Sequence, residues 1–97
     1  MRQLVLAAEA EDELLRSARY YEQERRGLGD DFVAEVQTLA ARLLEFPELG
    51  TIVIRDVRRA RVRRFPYDLV YRIHQDLLII IAVMHQRREP GYWKNRL

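Results

Sequence analysis

Cysteine is absent from the 97 residues, which excludes disulfides and thiolate metal sites and permits a reducing compartment. Histidine occurs twice, at His74 and His85, on separate strand candidates, so no metal-ligand spacing can be built from the pair. A Ser or Cys nucleophile motif and the paired carboxylates of a glycosidase are also missing. The longest apolar run, Leu77–Met84, is too short to cross a bilayer, and no signal-peptide pattern opens the chain. The expectation is a cytoplasmic protein with no membrane contact, no metal and no cofactor. Lysine is nearly absent too: Lys94 stands alone beside sixteen arginines.

What remains is a chain with 48% apolar and 33% charged residues, sized for one folded domain over 1–97. Its charge is unevenly spread. Residues 1–50 set six arginines against eleven acids, a balance of −5, while residues 51–97 set eleven basic residues against four acids, a balance of +7. Guanidinium forks suit phosphate and carboxylate, so the second half points to an anionic partner. A GC-rich genome explains arginine in place of lysine, but not the loss of acids after residue 50.

The organising stretch is Leu77 to Arg88. Its β-branched apolar run reads as a strand covered on both faces. Strict alternation puts Ile79, Ile81, Val83, His85 and Arg87 on one face, and Ile80, Ala82, Met84, Gln86 and Arg88 on the other. Upstream, Arg2–Leu6 is a short strand with Leu4 and Leu6 on one face. Helical spacing of Leu14, Leu15, Ala18 and Tyr21 predicts a helix over Ala8–Arg25, its first turns rich in acids where the helix dipole favours them. Gly27 and Gly29 break the pattern. A second helix over Asp30–Phe46 buries Phe32, Val36, Leu39 and Leu43, and stops at Pro47 and Gly50. Tyr20, Tyr21, Phe32 and Phe46 are expected in the core. After Gly50 the period becomes two. Ile52–Arg55 and Arg61–Phe65 read as strands with Asp56–Ala60 between them; Leu69–His74 is a half-buried strand, turned at Gln75-Asp76 into the central run. The class is α+β: an N-terminal strand and a helical hairpin packed on one face of a mostly antiparallel sheet. The other face, flanked by Val70 and Met84, keeps most of the strand arginines. After Pro90-Gly91 the tail is a coil or single turn.

Two constellations carry chemistry. In the first, Arg55, Arg58, Arg59, Arg61, Arg63 and Arg64 line a face that concentrates polyanions, with Tyr71, Tyr92 and Trp93 beside it to stack bases. Alternatively they form a solvated rim paired with acids. In the second, His85 with Arg87, Arg88 and Tyr92 supplies a proton carrier and charge stabilisers, the equipment for RNA cleavage by its own 2′-hydroxyl. The plain alternative is a strand-end histidine bonded to backbone.

The strings Val62-Arg63-Arg64-Phe65-Pro66-Tyr67-Asp68-Leu69-Val70-Tyr71-Arg72 and Val83-Met84-His85-Gln86-Arg87-Arg88-Glu89-Pro90-Gly91-Tyr92-Trp93 resemble the RelE/ParE superfamily of type II toxin–antitoxin toxins. The resemblance covers essentially the whole chain and leaves the branch open. RelE-like members are ribosome-dependent mRNA endonucleases; ParE-like members poison DNA gyrase. The resemblance implies a cognate antitoxin, a toxin–antitoxin hetero-oligomer, and either gyrase or the ribosome with its mRNA as target. For a nuclease it implies His85, Arg63 and Arg87 as catalytic, with Arg61, Arg64, Arg88, Tyr71 and Tyr92 holding target or phosphate. The His-x-Arg-Arg ending with Tyr-Trp, and the lack of a strand lysine, look more ParE-like. A third reading is a degenerate toxin serving as a complex scaffold.

Overall fold

A computed structural model describes residues 2–97. β1 (Gln3–Leu6) leads into α1 (Ala8–Glu24) and α2 (Leu28–Glu45), followed by β2 (Thr51–Ile54), β3 (Val57–Arg61), β4 (Tyr67–His74), β5 (Leu77–His85) and a closing 3-10 turn at Lys94–Arg96. The strands form one sheet in the order β1-β5-β4-β3-β2, in which β1 runs parallel to β5 and every other pair is antiparallel. The helical hairpin lies on one face. The expected α+β architecture is the observed one.

The hairpin is held closely at its bend. Gly27 takes φ +88°, and both its amide and that of Gly29 donate to the Glu22 carboxylate, which satisfies amides left free at the start of α2. A Cβ on Gly29 would stand 2.5 Å from the Ala18 carbonyl oxygen, so the two helices touch there backbone to backbone. Gly29→Ala is expected to cost about 1–3 kcal/mol as the helices are forced apart. A lowered urea midpoint at unchanged slope checks this; an unchanged midpoint counts against the close crossing.

The core between hairpin and sheet gathers Ala10, Phe32, Val36, Leu39 and Leu43 from the helices with Leu69, Tyr71, Leu78, Ile80 and Val83 from the strands. Tyr20 and Phe46, expected inside, are 56% and 55% exposed. Tyr21, one residue on, takes the inward position against Phe32 and Phe65, because neighbouring helix residues point about 100° apart.

Four strand expectations change. The chain turns at Arg55-Asp56, with Arg55 at φ +51°, so Val57–Arg61 is a strand and not a connection. Residues 63–66 form a loop instead of ending a strand: Arg64 takes φ +72° and Pro66 has no amide to donate. Tyr67 through Tyr71 are all buried, so β4 is half-buried only at its far end.

The fourth change reorders β5. Val70 pairs with Ala82 and Tyr71 with Ile80, which leaves Ile81 as an extra residue, a β-bulge. Alternation flips there. Leu78, Ile80 and Val83 face the helices, while Ile79, Ile81, Ala82 and Met84 face away. The second face is not open either. Trp93, 1% exposed, packs against Val57, Val70, Ile81, Ala82 and Met84, so the tail folds over the apolar floor that the sequence leaves bare.

Candidate functional site

The bulge carries His85 to the helix side, where its ring meets Tyr67 edge-on at 5.0 Å. Its Nδ1 accepts from the Arg87 amide at 3.0 Å, which assigns the proton of the neutral ring to Nε2. Around it lies a polar hollow of about 170 Å³, walled by Arg16 and Ser17 of α1, Tyr67 of β4, Val83 of β5, and Arg88 and Tyr92 of the tail. The Arg88 guanidinium stacks over the Tyr92 ring at 3.9 Å.

Glu13 anchors this region. Its Oε1 accepts from the Val83 amide and Arg96 Nη1, both at 3.0 Å; its Oε2 accepts from the Tyr92 hydroxyl at 2.6 Å and Arg96 Nη2 at 3.0 Å. Arg96 also donates to the Ile81 carbonyl at 3.1 Å. β1 ends opposite Ile80, so these two side chains satisfy the outer edge of β5 where no strand continues. Burial pushes the Tyr92 phenol well above its usual range, and the Glu13 carboxylate that accepts its hydrogen bond pushes it further. A phenol that keeps its proton in the folded state, while the unfolded chain loses it near pH 10, contributes fully below that pH. That stability falls as the pH rises further. Tyr92→Phe is expected to flatten the alkaline decline and to cost about 1–2 kcal/mol at neutral pH, measured by denaturation at several pH values.

The arginines are not gathered at this hollow. Arg61 stands on the opposite face, where the buried Asp68 carboxylate holds Arg59 Nε at 3.4 Å and Arg61 Nε at 3.6 Å. With its amide oxygen turned towards the guanidinium, Gln86 accepts from Arg61 Nη2 at 2.8 Å and from Nε as well. Arg63 shares one groove with Arg61, Glu35 and Arg42, and a second with Arg61, Arg64 and Gln86. Arg64 reaches Asp31 at 3.8 Å and Glu35 at 4.0 Å on α2. The Arg87 side chain is exposed at the turn beyond β5, and only its backbone amide meets His85.

Tyr71 and Trp93 are not available for stacking. Tyr71 is 0% exposed, and its hydroxyl donates to the Pro47 carbonyl at 2.7 Å and accepts from the Gly50 amide at 2.9 Å. It locks the end of α2 to the sheet and leaves no ring face for a base. Of the residues singled out in the sequence, the structure brings His85, Arg88 and Tyr92 together at the hollow, and Arg61, Arg63 and Arg64 together beside Gln86. It adds Glu13, Arg16, Ser17, Asp68, Gln86 and Arg96, which sequence reasoning missed. Asp68 had a signal, as an acid inside an alternating strand whose partner carries arginines. Glu13 had none, because its role depends on the tail returning to α1.

A profile of the family described as "ParE toxin of type II toxin-antitoxin system, parDE" matches residues 4–90. The chain belongs to the ParE toxin family. Two solved structures share the fold of this ParE-family chain. One, from "Chromosomal ParDE TA system from P. aeruginosa", has a TM-score of 0.66 at 15% identity, covering 88% of this chain and 96% of that one. The other, the isolated E. coli RelE toxin, has a TM-score of 0.67 at 20% identity, covering 99% and 96%. No curated protein matches in sequence. Membership of a type II toxin family implies a cognate antitoxin as partner of this ParE-family chain. Among its described residues no helix is long and apolar enough to cross a membrane.

Proposed function

We propose that this chain arrests growth by binding DNA gyrase, without chemistry of its own, and is neutralised by its cognate antitoxin. The observation that carries this reading is the position of Asp68. A buried carboxylate lies between Arg59 and Arg61 on the face where a nuclease would hold RNA phosphate, and it offsets part of their charge. The imidazole of His85 belongs to the other side of the sheet, against Tyr67, so it stands apart from the surface that Arg61, Arg63 and Arg64 share. His85, Arg63 and Arg87 are not brought to one point and have no catalytic assignment in this reading. Arg61 and Arg64 are engaged with acids of the chain itself.

Induction without antitoxin is expected to stop growth while messenger RNA stays intact by primer extension. Codon-phased cuts that vanish in His85→Ala would overturn the reading in favour of a ribosome-dependent endonuclease. Unaffected growth would assign the chain to the inactive-scaffold class.

A further inference from the structure

We propose that the hollow between α1 and the end of β5 is a carboxylate pocket, and that its ligand is an acidic side chain of the cognate antitoxin. This rests on the reading of the chain as an antitoxin-controlled, protein-binding toxin. Apart from Glu13, each polar side chain at its wall can donate a hydrogen bond, and several of them have no acceptor. His85 Nε2–H, the Ser17 hydroxyl and the Tyr67 hydroxyl have no hydrogen-bond partner among the described residues, and Arg88 has no carboxylate partner there. The one acid at the wall, Glu13, is spent: Val83, Tyr92 and Arg96 occupy both its oxygens, and the Arg96 guanidinium offsets its charge. An acceptor entering from outside therefore meets unpaired donors and the Arg88 guanidinium, with Arg16 beside it paired to Asp12 at 2.9 Å.

Size and surroundings select the ligand. At about 170 Å³ the hollow is well below the roughly 300 Å³ at which small-molecule sites begin, a size that suits one side-chain head group. The first turn of α1 carries Glu9 and Glu11, which repel a long polyanion approaching along that helix. A single carboxylate on a neutral stem avoids that repulsion. Arg88 is pre-positioned by its stack on Tyr92, so little side-chain freedom is lost when the carboxylate arrives.

The test uses the isotopically labelled full chain, titrated with N-acetylglutamate and separately with inorganic phosphate at constant ionic strength. Saturable shifts centred on the His85, Ser17 and Arg88 signals are expected with N-acetylglutamate, with phosphate the weaker ligand. Both Arg88→Gln and Ser17→Val should weaken binding, and the second leaves the stack on Tyr92 alone. In the antitoxin encoded beside the toxin, one Asp or Glu changed to Ala should weaken the complex by about thirtyfold or more, an effect that disappears when the toxin carries Arg88→Gln. Absence of localised shifts, tighter binding of phosphate, or a flat acidic scan overturns the proposal. A chain that shows the shifts but leaves gyrase untouched loses its proposed target and keeps the pocket; the converse result loses the pocket alone.

Discussion

Trp93→Ala is expected to lower folding stability by about 3–5 kcal/mol, the cost of emptying a buried indole site. The tryptophan comes from the irregular tail, yet it is 1% exposed and lies on Val57, Val70, Ile81, Ala82 and Met84, which belong to three strands. Without it the apolar floor of the sheet's second face meets water, and the tail loses its main contact on that side. Urea denaturation followed by far-ultraviolet circular dichroism should show a reduced midpoint. Trp93→Phe should fall between the two, because a smaller ring fills part of the space. A variant as stable as the parent would mean that the tail does not dock and that the second face is bare.

Glu13→Ala is the other large effect, about 2–4 kcal/mol, because four donors lose one acceptor together. The Val83 amide, the Tyr92 hydroxyl and two nitrogens of Arg96 converge on this carboxylate, and the side chains of Glu13 and Arg96 are each 17% exposed. What remains after the change is a half-buried guanidinium and a strand edge without its cap. Arg96→Met removes the other partner, and the double variant should cost less than the sum of the singles, since each single leaves a charge unpaired. Additive losses would show that the pair is only a surface contact.

Much of this architecture is legible in the sequence, and the failures have physical reasons. Phe32, Val36, Leu39 and Leu43 mark α2 because a helix with one buried side leaves a clean period. β3 is hidden because Val57-Arg58-Arg59-Ala60-Arg61 carries three guanidiniums, and its inward residue towards the helices is only an alanine. In an uninterrupted apolar run nothing in the composition marks the extra residue at Ile81, yet that residue decides which face His85 occupies. Tyr71 illustrates a further limit. An alternating pattern identifies its face but not what covers it, and the cover here is the α2–β2 connection, reached through Pro47 and Gly50. The hollow at His85 depends on contacts spanning most of the chain, from Glu13 to Arg96, and such contacts leave no local trace.

The division of charge also has a structural meaning. The acidic helices take up part of the arginine excess: Arg64 meets Asp31 and Glu35, and Arg96 meets Glu13. Asp68 takes up more on the second face. What is left for a partner is the surface shared by Arg61, Arg63 and Arg64, its charge partly offset by Asp68, Asp31 and Glu35.

Supercoiling of relaxed plasmid by purified gyrase and ATP distinguishes binding of gyrase from cutting of RNA. Added toxin should block the appearance of supercoiled product, and added cognate antitoxin should restore it. Supercoiling that proceeds unchanged at a large excess of toxin would contradict the account.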